Sequence, residues 1–198
     1  MARTPTRLSR QARREQLLDA AAAIVRAQGA DGLTLVTLAE AAGVSRPIAY
    51  DHFGTRPALL LALHQRLDAR HRAAITEAVR AAPATAGEVA RVISTAYFDC
   101  ATAMPELGAV SAALRAGPKP AAGPPETLTG YLDLLVTSLR PYAELPADEL
   151  RLRCVGLLGA AEAIAAERQR GQLTDAAAVA ALSALILGAL AGAATAAE

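Results

Sequence analysis

Tryptophan is missing from this 198-residue chain, and four tyrosines and two phenylalanines are all the aromatic side chains it has. With 53 % hydrophobic residues on so few aromatics, the core must be built from alanine, leucine and valine, a set that favours helices over strands. An all-α fold is expected. Cysteine is nearly missing too: Cys100 and Cys154 are too few and too far apart for a disulfide framework or a four-ligand zinc site, which suits a reducing interior. The basic start, MARTPTRLSRQARRE, has no apolar run of signal-peptide type behind it, and a cytoplasmic location is expected. There is no Gly-rich phosphate loop, no G-x-S-x-G elbow and no Cys-x-x-Cys, and the three histidines lack catalytic partners. An enzyme is not expected, nor a cofactor.

Charge is missing from residues 176–197, a stretch long enough to span a bilayer. Most of it is alanine, glycine, serine or threonine, and no lysine or arginine stands close to either end, so a helix covered by other helices is expected instead of a membrane span. The formal net charge of +1 also hides an asymmetry. Residues 1–72 carry 11 arginines against 6 acids, and residues 73–198 carry 9 basic residues against 13 acids. A basic end on a mildly acidic body suggests that one module meets nucleic acid.

Glycine and proline divide the chain into nine helical pieces. Ser9 can cap a first helix that Gly29 ends, and Thr34 a short second one closed by Gly43. Ser45 can cap a third running to about Phe53, with Pro47 in its first turn. Further helices are expected over residues 56–81, 85–103, 106–116, 126–139, 147–169 and 176–196, with a loop at 117–125.

A short helix, a glycine turn and a second short helix make the helix-turn-helix pattern. On the third helix Ala49 and Phe53 share a face that can bury against Leu38 and the first helix, while Pro47 and Asp51 lie opposite, flanked by Ile48 and Tyr50. An outer face of that kind suits a major groove. Tyr50 and Arg56 can hold phosphate, and Thr34, Thr37 and Ser45 lie close enough in sequence to join them. Arg46 can take guanine or phosphate, Ile48 a thymine methyl and Asp51 the cytosine amino group; His52 completes the set.

The run TLVTLAEAAGVSRPIAYDHFGTRPALL, residues 34–60, resembles the DNA-binding segment of the tetracycline-repressor (TetR) family: a threonine-led helix, Ala-Gly-Val-Ser, then Tyr-x-x-Phe and a basic residue three further on. The resemblance rests on Thr34, Leu38, Ala39, Ala42, Gly43, Val44, Ser45, Tyr50, Phe53 and Arg56 and extends over about residues 10–65. Arg56 stands where the family usually has lysine. Ala49 replaces a larger aliphatic residue, so the helix packs either closer or less firmly. Asp51 sits where an aromatic residue or histidine is commoner, and its charge must either read a base donor or repel phosphate.

The resemblance implies a helix-turn-helix domain over residues 1–55 and a helical ligand-binding and dimerisation domain over 56–198. It implies a homodimer on a near-palindromic double-stranded operator and release by an unknown small-molecule effector. Repression, as against activation, rests on the resemblance alone, and a ligand-independent dimeric DNA-binding protein is the alternative. For the dimer interface the small residues Gly156, Gly159, Ala160 and Ala163 on one helix and Ala184, Gly188, Ala191 and Gly192 on the next permit close backbone approach. For a largely apolar ligand pocket the candidates are Tyr97, Phe98, Cys100 and Met104 on the fifth helix and Tyr131, Leu134 and Leu135 on the seventh, with plain core as the competing reading. His64, Asp68 and His71, spaced i, i+4, i+7, are more readily a helix surface than a metal face, and no metal is assigned.

Overall fold

The structure is a computed structural model and describes residues 8–117 and 126–191, without the side chains of residues 100–102 and 126–129. The described residues form nine α-helices and no strand: α1 Arg10–Gln28, α2 Leu35–Ala41, α3 Arg46–Phe53, α4 Arg56–Ala81, α5 Ala86–Ala103, α6 Pro105–Ala116, α7 Glu126–Leu139, α8 Ala147–Gln169 and α9 Asp175–Leu190. Two short 3-10 turns, Ala30–Gly32 and Arg140–Tyr142, fall where the sequence reading places only connections.

The caps are where the residue chemistry puts them. Ser9 accepts from the Ala12 N–H to start α1, and Thr174 accepts from the Ala177 N–H to start α9. Gly43 and Gly54 take φ of 64° and 67° at the ends of α2 and α3, a left-handed conformation that glycine adopts without a side-chain clash.

The chain divides into two compact units, residues Met1–Asp68 with Met104–Ala121, and Ala69–Ala103 with Ala122–Glu198. The division falls inside α4. In the first unit α1 packs on α2 and α6, and α2 on α3, around Leu17, Leu18, Ala21, Leu38, Ala49 and Leu63. Glu106 of α6 is 2 % exposed and paired with both ends of the Arg26 guanidinium from α1. His64 of α4 donates from Nε2 to Ser111 Oγ at 2.8 Å, since the Ser111 hydroxyl itself donates to the Leu107 carbonyl. In the second unit α5, α7, α8 and α9 enclose a core that includes Ile75, Val89, Phe98, Leu139, Leu150 and Ile186. There Arg153 of α8 donates to the carbonyls of Ala189 and Ala191, satisfying acceptors that the end of α9 leaves open.

Over its described part, α9 is buried on one side only, through Ala178, Leu182, Ile186 and Leu190. No described helix is long and apolar enough to cross a membrane.

Candidate nucleic-acid interface

The helix-turn-helix is built by α2, the Gly43 turn and α3. Thr34 Oγ1 accepts from the Thr37 N–H at 3.0 Å and Thr37 Oγ1 accepts from the Thr34 N–H at 2.9 Å, a reciprocal capping box. The Thr37 hydroxyl also donates to the Gly32 carbonyl at 2.8 Å. Both threonine hydroxyls thus close the start of α2.

Ser45 occupies the N-cap of α3 but makes no side-chain cap bond, contrary to the sequence expectation. The reason is local. A cap hydroxyl takes the N–H of the second or third helical residue; here the second is Pro47, which has none, and the Ile48 N–H bonds to the Ser45 carbonyl instead. The Ser45 side chain is therefore left exposed.

Ala49 is fully buried and Phe53 nearly so, which fixes the rotation of α3 and makes close packing the outcome at Ala49. Arg46, Pro47, Tyr50 and Asp51 are exposed and Ile48 half-buried, so the candidate base-reading residues share the outward face. Arg46 lies 3.6 Å from Glu40, with both side chains open to solvent, an ion pair worth little.

Arg56 is placed differently from the simple phosphate contact. Its Nε donates to the Leu33 carbonyl and its Nη2 to the Ala30 carbonyl, each at 2.8 Å, and Asp31 lies 3.5 Å away. The guanidinium fork therefore ties the start of α4 to the turn that precedes α2. Lysine, a point donor, could not reproduce that fork.

His52 sits beside Phe53 at 6.1 Å between ring centres, and its pKa is lowered by burial and by the charges of Arg10, Arg14 and Arg13, against a raising effect of Asp51. Arg14 lies over the Phe53 ring at 5.4 Å. The first turns of α1 thus belong to the same surface as α3, which reading the helix-turn-helix alone missed; the run of arginines before Glu15 was the signal.

The second unit holds a small cavity of about 20 Å³, room for roughly one water. Of the pocket candidates Tyr97, Tyr131, Leu134 and Leu135 line it. Phe98 is packed in the core beside it, under the Arg168 guanidinium at 5.6 Å. Met104 is not on α5: it is the N-cap of α6 and falls in the first unit, because Pro105 starts a new helix there. The Cys100 side chain lies outside the described residues. Ile75, Ile93, Leu157, Leu158, Leu182 and Ile186 complete most of the lining and were not singled out by sequence, being ordinary helix-face aliphatics. The Tyr131 hydroxyl donates to His71 Nδ1, and His71 Nε2 donates to the Ala96 carbonyl at 3.1 Å. With His64 bound to Ser111, the two histidines serve different partners. No three metal-ligating side chains gather among the described residues.

On α8 and α9 the small residues Gly156, Gly159, Ala163, Ala184, Gly188 and Ala191 are exposed and Ala160 half-buried; Gly192 lies outside the described residues. A Cβ added at Gly156, Gly159 or Gly188 would meet no atom within 4 Å. Larger apolar side chains share this exposure, Leu152 at 71 % and Val155, Leu185 and Leu187 at 40 % or more. Cys154, in contrast, is buried, and its thiol is pushed up to about 11 by burial.

Residues 17–63 match the family model described as bacterial regulatory proteins, tetR family. No curated protein matches the chain. Among solved structures, a TetR-family transcriptional regulator from Pectobacterium atrosepticum is similar at TM-score 0.70 and 24 % identity, over 94 % of this chain and 98 % of that one. The fatty acid degradation regulator FadR from Bacillus halodurans is similar at 0.65 and 22 %, over 89 % and 99 %. FadR from Bacillus subtilis, solved in complex with stearoyl-CoA, is similar at 0.62 and 19 %, over 90 % and 98 %. These proteins are regulators rather than enzymes and have the fold of this chain, whose residues 17–63 carry the segment that the tetR-family model describes.

Proposed function

We propose that this DNA-binding regulator works as a homodimeric repressor, with residues 1–55 reading a near-palindromic operator and residues 56–198 dimerising and taking a small, largely apolar effector that releases the DNA. What carries the DNA-binding part is the two-sided character of α3, with Ala49 and Phe53 buried and Arg46, Pro47, Tyr50 and Asp51 facing outward. Such a helix can enter a major groove without exposing its packing face.

In this reading Tyr50, Ser45 and the α2 threonines Thr34 and Thr37 meet the DNA backbone, Arg46, Pro47, Ile48 and Asp51 face base edges, and His52 and Arg56 support the two sets. Dimerisation through α8 and α9 is supported by their exposed glycine, alanine and leucine face. Two heads about 34 Å apart would then meet successive turns of one duplex face. An apolar effector is supported by the cavity lining, aliphatic apart from Tyr97 and Tyr131. At about 20 Å³ the cavity must open to admit a ligand, so effector binding and a change of shape are one event. The fatty acid regulators of the same fold are consistent with a ligand bearing an alkyl chain.

The test is selection of bound sequences from a random duplex pool at a stated salt concentration, followed by competition with apolar compounds. An enriched near-palindrome released by one of them is the expected result. Lack of any enriched sequence would overturn the operator reading. An operator with no compound that either stabilises the protein or frees the DNA would favour the ligand-independent alternative.

A further inference from the structure

In the first unit Arg26, Arg46, Arg56 and Arg66 each have a carboxylate within ion-pair distance, at Glu106, Glu40, Asp31 and Glu15. Among the described residues Arg10, Arg13 and Arg14 of α1 have none. Arg115 of α6 stands without one too, but singly, so the grouped unneutralised charge among the described residues of this unit is in the first two turns of α1. Arg14 is settled over Phe53, but Arg10 is exposed and Arg13 is half-buried, with one N–H on Gln16 at 2.6 Å.

Arg10 and Arg13, with Leu8, line an open recess of about 360 Å³ whose other wall is Ile48, Asp51 and His52 of α3. The two arginines thus stand next to the outward side of the recognition helix. The Asp51 carboxylate in the same recess would repel a phosphate if it stood alone.

We propose that Arg10 and Arg13 hold a DNA backbone phosphate in this recess, so that each head grips its half-site from α1 as well as from the helix-turn-helix. The proposal rests on the DNA-binding reading of α3. It assigns the backbone contact that Arg56 is less free to make, because the Arg56 fork is engaged on Ala30 and Leu33. It also resolves Asp51: two guanidinium groups offset its repulsion of phosphate and leave its oxygens available to a base amino group. A phosphate contact of this kind is indifferent to sequence, so it extends the footprint without changing the preferred bases.

The test is titration of the selected operator by parent, Arg10→Ala with Arg13→Ala, and Arg10→Lys with Arg13→Lys, between low and moderate salt. The alanine pair should bind more weakly, with the log–log salt slope shallower by about 0.9 for every phosphate contact removed, and the lysine pair should restore the slope. Base preference should stay as in the parent, and Asp51→Asn should recover more affinity in the alanine background than in the parent. Arg115→Ala, which removes one positive charge from α6 as the single Arg10→Gln does from α1, should leave the slope unchanged. The single Arg10→Gln, at an exposed position, repeats the measurement should the alanine pair lose its parental melting temperature. A parent that binds its operator while the alanine pair or Arg10→Gln keeps affinity and slope would overturn the inference and leave the DNA-binding reading intact. Failure of the lysine pair to restore the slope would also overturn it. A parent that binds no duplex would remove the reading on which it rests.

Discussion

Arg56→Ala removes two charge-assisted hydrogen bonds, to the Ala30 and Leu33 carbonyls, both at 2.8 Å. Hydrogen bonds to charged groups contribute about 1.5–3 kcal/mol each when sheltered. The Arg56 side chain is 39 % exposed and water can replace part of what is lost, so the pair together should contribute about 2 kcal/mol. If the 198-residue chain melts as one unit, that is a fall in Tm of about 4–8 °C. Arg56→Lys separates the two roles of the side chain. It keeps the charge that a phosphate would feel but loses the planar fork, so it should hold the salt slope of DNA binding near the parent's and recover less than half of the lost Tm. The assays are thermal unfolding followed by circular dichroism and operator titration at several salt concentrations. A Tm for Arg56→Ala within about 1 °C of the parent would show that the two carbonyl bonds contribute nothing net, and the view of Arg56 as the tie of α2 to α4 would be wrong.

Other outcomes can be stated as directly. Ala49→Leu, at a position with 0 % exposure between α2 and α3, should overpack that contact, destabilise by about 1–3 kcal/mol and weaken operator binding by tilting α3; a variant with parental Tm and affinity would refute the close packing. His64 has its pKa lowered by burial and by Arg115, against Asp68, and its Nδ1 is buried without a partner among the described residues. The unfolded chain therefore binds that proton more readily than the folded one, so stability is full above the ordinary histidine pKa of about 6.5 and is lost as pH falls below it. His64→Gln should flatten the fall in Tm between about pH 7 and 5, and an unchanged fall would exclude His64 as its source. Leu152→Glu with Leu185→Glu places charge on the exposed face of α8 and α9; sedimentation should then give a monomer with parental helicity, whereas an unchanged dimer would place the interface elsewhere.

Much of the fold was legible because its boundaries are set by local chemistry. Ser9 and Thr34 are side chains that satisfy nearby N–H groups, and Gly29, Gly43 and Gly54 take a positive φ that other residues resist. Neither effect needs a distant partner, so residue type and spacing are enough. Three-residue 3-10 turns carry too little periodicity to be read, and Met104 was placed one helix too early because a cap before Pro105 resembles the end of the preceding apolar run.

The orientation of α3 at the candidate interface was legible, because burial alone decides it: once Ala49 and Phe53 face inward, Pro47, Tyr50 and Asp51 must face out. It was not legible where a side chain chooses among partners. Arg56 has carbonyls 23 and 26 residues away, Arg26 has a carboxylate 80 residues away, and a motif that says "basic residue here" cannot tell a guanidinium bound internally from one left for phosphate. Charge counted along the chain makes the N-terminal third basic as a whole. Charge paired in space leaves Arg10 and Arg13 as arginines without carboxylate partners beside α3, and it is this residual charge, rather than the total, that an anionic duplex would feel. The salt slope of the Arg10 and Arg13 variants therefore tests more than one contact: it asks whether the ion pairs that neutralise the other arginines persist when DNA is bound. If they open to meet phosphate, the parent's slope will exceed what the unpaired arginines can supply, and the variants will remove only part of it.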